Sequence, residues 1–217
     1  KSYITKTRFV HPATGAKVFS HSMWPLQDNP ERIILTDIPS TSLLIAADFG
    51  HGYITEEDAE NIAARGIGLL ALTVQANSLN YGHNALTKWP CADYVVVDEG
   101  ELRLAAQDRT SDLKEIMRDM IQRMHLNTLV VTRGGDGAEG MTSTDQFSMP
   151  ALTEYAVDRL GAGDAFLGAS APLWAARAPL PVVMLVGSMA AALHVQTTGN
   201  MAVRRAALHN ALRSILK

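Results

Sequence analysis

Val157-Asp158-Arg159-Leu160-Gly161-Ala162-Gly163-Asp164-Ala165-Phe166 is the stretch around which this chain is organised. A strand-like approach gives way to two glycines separated by a small residue, then to an acid and the largely apolar run 165–171. Glycines at such a junction let the backbone approach a ligand closely. Free N–H groups at a helix start point outward and favour an anion. Asp164 falls in the first helical turn, beside that anion. A cradle of N–H donors next to a carboxylate suits phosphoryl transfer, where charge must be held while a base orients a hydroxyl. The same residues also suit a plain helix start, its acid complementing the helix dipole.

Around this stretch, short apolar runs alternate with helical segments. Leu43–Asp48, Gly68–Val74, Asp93–Val97 and Thr128–Thr132 read as buried strands. Between them, Thr55 reads as the N-cap of a helix opening on Glu56, Glu57 and Asp58, which Gly66 stops. A short helix precedes Pro90. Ser111–Met124 carries Leu113, Ile116, Met117, Met120, Ile121 and Met124 on one face at helical spacing, the pattern of a core stripe. Met141–Met149 holds a further strand or hairpin. The remainder is helical over Gly161–Arg177, Val182–Gln196 and about Val203–Leu216, with Pro172 predicted to kink or split the first. Such alternation means an α/β fold, a mostly parallel sheet with helices on both faces. Ligands then bind beyond the carboxyl ends of the strands, where Asp48, Asp98, Thr132 and Asp158 are expected.

The N-terminal part differs. Tyr3–Val10 and Lys17–Ser20 are β-rich and flank a turn with Pro12 and Gly15, which predicts a hairpin. Met23–Pro30 reads as a loop and Glu31–Ile38 as a short helix ended by Pro39. The 217 residues, 47% of them hydrophobic, suffice for one sizeable core. The net charge of −3 offers no nucleic-acid footprint. The single cysteine, Cys91, excludes an internal disulfide and fits a reducing, cytoplasmic compartment. Pro181–Val195 is too short to span a bilayer, so no membrane partner is expected. The histidines show no metal-ligand spacing.

The run 158–166 closely resembles the C-terminal signature of the PfkB/ribokinase family of carbohydrate kinases. Asp98-Glu99-Gly100-Glu101 is similar to that family's Asn-x-x-Glu motif. Val131-Thr132-Arg133-Gly134-Gly135-Asp136-Gly137 is similar to its nucleotide-side Thr-x-Gly-x-x-Gly loop. Lys6–Val10, Ala47–Gly52 and the region 77–90 resemble one branch, the heptose-7-phosphate kinase domains. The resemblance implies a ribokinase-like fold with a lid-hairpin remnant over 1–22 and a nucleotide-binding and catalytic domain over 23–217. It further implies that the sequence starts inside the lid and is the C-terminal piece of a longer protein.

The same resemblance implies ATP-dependent phosphoryl transfer to a hydroxyl of a sugar or sugar phosphate, with ATP and Mg2+ as cofactors. Asp164 becomes the general base, and Gly161, Ala162 and Gly163 the anion hole, with Leu160 packed below the loop. Asp98 and Glu101 organise hydrated Mg2+; an acidic helix N-terminus explains them equally well. Thr132, Arg133, Gly134, Gly137, Asp158, Thr197 and Gly199 surround the nucleotide, with the helix end 190–195 and the turn 197–200 as the adenine-side wall. A glycine-rich hairpin turn explains 133–137 as well. Lys6 and Arg8, on one face of the lid strand, and Asp48 meet the sugar phosphate; a surface strand explains the first two. His194 reads as a satisfied core histidine and His51 as a helix cap or sugar-side residue. Partners implied are a homodimer through the lid and a fused or separate nucleotidyltransferase, although no His-x-Gly-His motif occurs here. Asp98 stands where the family has asparagine, and Arg159 where it has threonine. A non-catalytic nucleotide-binding or scaffold fragment is the competing reading. A dinucleotide-dependent oxidoreductase fails on spacing, because Phe166 stands where the third glycine is required.

Overall fold

The computed structural model describes residues 5–11, 17–23, 38, 40–66, 68–76, 82–199 and 201–215. Expectations for the hairpin turn at 12–16, the loop and helix over 24–37, Pro39, Asn77, Asn80 and Asn200 fall outside them.

Strands β1 (Thr5–Val10) and β2 (Lys17–Met23) pair antiparallel as a separate two-stranded sheet. The predicted hairpin strands are present, and Phe9 stacks on Phe19 with ring centroids 4.2 Å apart. The main sheet has six strands in sequential order: β3 (Leu43–Asp48), β4 (Leu69–Val74), β5 (Tyr94–Asp98), β6 (Thr128–Thr132), β7 (Ala138–Thr142) and β8 (Gln146–Met149). β3 to β6 pair parallel, while β7 and β8 add antiparallel, so 138–149 is a hairpin that starts before Met141.

Alternation along the strands assigns their faces. Val95 and Val97 of β5 join one cluster with Leu72, Leu129 and Val131. That face is covered by α1 (Glu56–Ala64), α2 (Glu99–Ala106) and α3 (Leu113–Arg123). The methionine stripe of α3, Met117 and Met120 included, packs there as core. Tyr94 and Val96 face the other way, toward α4 (Ala162–Ala175) and α5 (Leu180–Val195). The last helix is α6 (Arg205–Ile215). Among the described residues no helix is long and apolar enough to cross a membrane.

The helix caps of the first face are built into the sequence, and Asp112 caps α3 by accepting from Lys114 N at 2.9 Å. Thr55 and Asp58 cap α1 reciprocally, and Asp98 and Glu101 cap α2 in the same way. Gly66, at φ +56°, follows the end of α1.

Helix α4 carries the glycine–acid turn, so its anchoring sets the position of that turn. Phe166 is buried and lies against Gly187 of α5, where a Cβ would meet the ring at 2.6 Å. Burying such a ring stabilises by about 1.5–3 kcal/mol. The Tyr94 hydroxyl hydrogen-bonds Ser170 at 2.8 Å, and Trp174 Nε1 donates to Thr128 Oγ1 at 2.9 Å. Pro172 lies inside α4 without splitting it. Two further corrections concern the approach to α4. Val157 and Asp158 are not strand: both backbone N–H groups donate to the Val195 carbonyl, at 2.7 and 3.0 Å. Asp158 therefore ends no strand. Leu160 is 39% exposed and lines the cavity rather than packing below the loop.

Candidate active site

A cavity of about 840 Å³ opens over the carboxyl ends of β4, β5 and β6. Asp98, Glu101, Thr132, Gly134, Gly137, Arg159 and the turn Gly161–Asp164 all line it. Three motifs far apart in sequence are thereby brought to one rim. The parallel register explains part of this, since Asp98 lies beside Thr132 in β5 and β6. The floor is apolar, with Val96, Phe166, Leu152 and Ala192.

Gly161 adopts the left-handed conformation, φ +82°, and opens α4 as its N-cap. Only glycine adopts that conformation without strain. In the first turn, Gly163 and Asp164 have no helix carbonyl to which their N–H groups can donate. The Ala162 N–H differs from expectation: it makes a long bond, 3.4 Å, to the Arg159 carbonyl. A Cβ on Gly163 would meet nothing within 4 Å, so the surface of the turn is open.

Asp164 sits at the third position of α4. Its Oδ1 is buried and has no hydrogen-bond partner among the described residues. A buried carboxylate oxygen without a donor costs free energy, and a substrate hydroxyl in this cavity would supply one. Burial raises the pKa of Asp164 above the usual carboxylate range, and His194 opposes the rise.

Asp98 and Glu101 reach the rim through the capping box of α2. Glu101 Oε2 accepts from Asp98 N at 2.9 Å, and Glu101 Oε1 accepts from Ala76 N at 3.1 Å. Burial, and then the negative charges of Asp98 and Asp164, push the Glu101 pKa up to about 7. A raised carboxylate pKa means that the folded chain binds the proton more tightly. The stability this adds is present below the ordinary value of 4.5 and is lost as pH rises through about 7. Glu101→Gln, always neutral, loses one capping bond, yet it escapes that decline. The melting temperature of Glu101→Gln minus that of the parent is therefore expected to rise between about pH 5 and 7 and then level. A difference that is flat across a pH series of thermal melts would contradict this.

The turn 133–137 joins antiparallel strands, with Arg133 N donating to Gly137 O at 2.8 Å. Thr132, Gly134 and Gly137 face the cavity, whereas the Arg133 side chain is held by Glu99, Nε to Oε2 at 2.9 Å. Arg103 grips the other Glu99 oxygen. The hydrogen bond from Arg133, helped by the Arg103 bond, holds the Glu99 carboxyl below its usual range against the opposing effect of burial. The Glu99–Arg133 pair was legible in principle: each residue directly follows one of the paired residues Asp98 and Thr132. Asp158, Thr197 and Gly199 lie just outside the cavity lining. Asp158 Oδ2 accepts from Gly199 N at 3.2 Å, so these residues form one linked turn.

Asp48, expected to touch sugar, is a buried hub. Its carboxylate pairs with Lys88 and accepts from Trp89 Nε1 at 3.0 Å and Gly50 N at 3.1 Å. Lys88 also donates to Asn84 Oδ1 at 2.7 Å. Lys6 is close enough to His51 to lower its pKa, after burial, while Asp48 raises it. Lys6, Arg8 and Asp48 all lie outside the cavity lining.

Among the described residues no group of three or more His, Cys, Asp or Glu side chains is placed to hold a metal ion directly. The pair Asp98 and Glu101 nevertheless suits a hydrated Mg2+, which keeps most of its waters and takes few protein ligands. The open glycine turns and the cavity suit a nucleotide triphosphate.

Residues 56–206 match the model of the pfkB family carbohydrate kinases. The chain is 26% identical over 178 residues to the bifunctional protein HldE of Shewanella baltica, covering 81% of this chain and 36% of that protein. It is 30% identical over 115 residues to a 2-dehydro-3-deoxygalactonokinase of Haloferax volcanii, covering 53% and 36%. The chain thus spans about a third of the length of these relatives. Among solved structures, a ribokinase of Thermotoga maritima superposes with a TM-score of 0.70 at 19% identity, covering 83% of this chain and 60% of that one. The fold is therefore ribokinase-like.

Proposed function

Because the chain belongs to the pfkB family of carbohydrate kinases, we propose that it carries the nucleotide-binding and catalytic part of an ATP-dependent kinase acting on a sugar or sugar phosphate. The observation that supports this best is the orphaned Asp164 Oδ1, buried beside the open Gly161–Gly163 turn. In this reading ATP lies across the cavity, its phosphates between the Thr132–Gly137 turn and the start of α4. The acceptor hydroxyl donates to Asp164. Its oxygen attacks the γ-phosphorus as the bond to the β–γ bridging oxygen breaks. The proton passes to Asp164 and ADP leaves. The Gly163 and Asp164 N–H groups hold the negative charge of the transferring group, a role worth about 2.7–4 kcal/mol per donor in comparable anion holes.

Burial moves the Asp164 pKa toward the operating pH, which suits a general base. Asp98 and Glu101 would hold Mg2+ through its waters. When bound, the ion neutralises phosphate charge. Glu101 must give up its proton for that, so metal affinity rises with pH. Residues 1–22 would act as the lid and 23–217 as the catalytic unit. Lys6 and Arg8 on the lid suit a phosphorylated acceptor, and the exposed Phe9–Phe19 pair suits contact with a second lid. The likeness to HldE favours heptose 7-phosphate as acceptor and a nucleotidyltransferase as fused or separate partner. Such chemistry belongs in the cytoplasm.

The test is ADP release in the presence of heptose 7-phosphate, unphosphorylated sugars and a 2-keto-3-deoxy sugar acid. Stimulation by heptose 7-phosphate above the others is expected. Stimulation by none of them, with ATP bound, would contradict the reading.

A further inference from the structure

His194 lies in the last turn of α5 and is 4% exposed. The next residue, Val195, and the nearby Ala191 and Ala192 line the cavity; His194 does not. Its Nε2 is 2.6 Å from the Leu160 carbonyl oxygen, and its Nδ1 is 3.1 Å from the Met201 carbonyl oxygen. Both neighbours can only accept. A neutral imidazole has one N–H, so it satisfies one carbonyl and turns a lone pair on the other. The doubly protonated ring donates to both.

Two surroundings favour that positive charge. The C-terminal carbonyls of α5 carry partial negative charge. Asp164 is close enough that His194 lowers its pKa. This turn also carries Asp158, whose Oδ1 accepts from Leu160 N at 3.0 Å while Oδ2 accepts from Gly199 N, and the cation Arg159, which lines the cavity and opposes a charge on His194.

The two carbonyls belong to two turns with different tasks. Leu160 immediately precedes Gly161, the left-handed residue that opens α4. Met201 follows the turn after α5, and its N–H donates to Gly199 O at 2.9 Å. We propose that His194 is a positioning residue, a built-in cation that clamps the Leu160 and Met201 carbonyls and so sets the Gly161–Gly163 cradle against Thr197–Gly199 and Met201. Its consequence for nucleotide binding rests on the kinase reading, in which the cradle meets the γ-phosphate and the far turn meets the rest of the nucleotide. The sequence motifs do not require histidine here; the requirement arises from two acceptors facing one ring.

The test combines 15N NMR of the histidine-labelled chain with ATP titration of His194→Gln, its fold checked by circular dichroism. Both ring nitrogens of His194 are expected to carry protons at neutral pH. The neutral amide of His194→Gln is expected to weaken ATP binding about tenfold, as the loss of one charge-assisted hydrogen bond would. A ring protonated on one nitrogen only overturns the proposal, as does a folded His194→Gln that binds ATP like the parent. Should His194→Gln fail to fold, the NMR signature of the parent decides alone. A parent that shows the doubly protonated ring but binds no ATP overturns the kinase reading and leaves the clamp intact.

Discussion

Replacing Asp164 with asparagine is expected to lower sugar-dependent turnover by about 10²–10⁴-fold, the usual worth of a placed general base, and to leave ATP affinity unchanged. Asparagine has nearly the same shape and still fits the third position of α4. The Gly163 and residue-164 N–H groups remain open at the helix start, so the phosphate cradle survives. What disappears is the oxygen that takes the proton, here a buried Oδ1 with no partner among the described residues. Removing a negative charge from a helix N-terminus costs a few tenths to about 1 kcal/mol of stability, too little to unfold the chain. Steady-state kinetics and calorimetric ATP titration check both halves. Turnover close to the parent would remove Asp164 from the chemistry and return it to the role of a dipole-complementing acid.

Gly137→Ala destabilises the chain by about 3 kcal/mol, combining left-handed strain with overpacking. That amounts to a fall of about 10 °C in melting temperature for a chain of this size. Gly137 has φ +88°, and a Cβ there would run into the Met149 carbonyl oxygen and lie 2.8 Å from Ala151 N and Pro150 C. These are backbone atoms of the β8 end and cannot rotate away. The neighbour Gly135 is the control: a Cβ there meets nothing within 4 Å, so Gly135→Ala is close to neutral. Thermal melts of the two variants decide it. Equal melting temperatures would mean that the 133–137 turn does not press on β8.

Particular residues show how much was legible. β4, β5 and β6 are apolar runs because burial on both faces demands that pattern, whereas β3, at the sheet edge, leaves Ile45 and Ala47 exposed despite its equally apolar sequence. The stripe of α3 and the acidic starts of α1 and α2 follow from helical spacing and capping. Helix α2 is less plain in the sequence, because Gly100 weakens the helical pattern and the acids at 98–101 suit a metal site and a helix start equally well. The rim shared by Asp98, Thr132 and Asp164 was legible from motif order and strand ends.

Sequence distance conceals tertiary partners, and of these only the Glu99–Arg133 pair left a trace, in the strand ends that its residues follow. Asp48 looks like a free strand-end acid until Lys88 and Trp89 fold back on it from about 40 residues away. Asp158 looked like another strand end, but the Val195 carbonyl captures its backbone instead. Arg133 looked phosphate-directed until the β5–β6 register set Glu99 beside it. In each case a local pattern met a partner that sequence distance conceals.

In the proposed reaction the γ-phosphoryl group of ATP passes to a sugar hydroxyl at Asp164. A 31P NMR time course with ATP, Mg2+ and the preferred acceptor tests it most directly. The expected result is a sugar phosphate resonance that grows as the γ-phosphate of ATP declines, and that is absent with Asp164→Asn. Loss of the γ-phosphate to water at the same rate with and without acceptor, or an identical time course for Asp164→Asn, would contradict it.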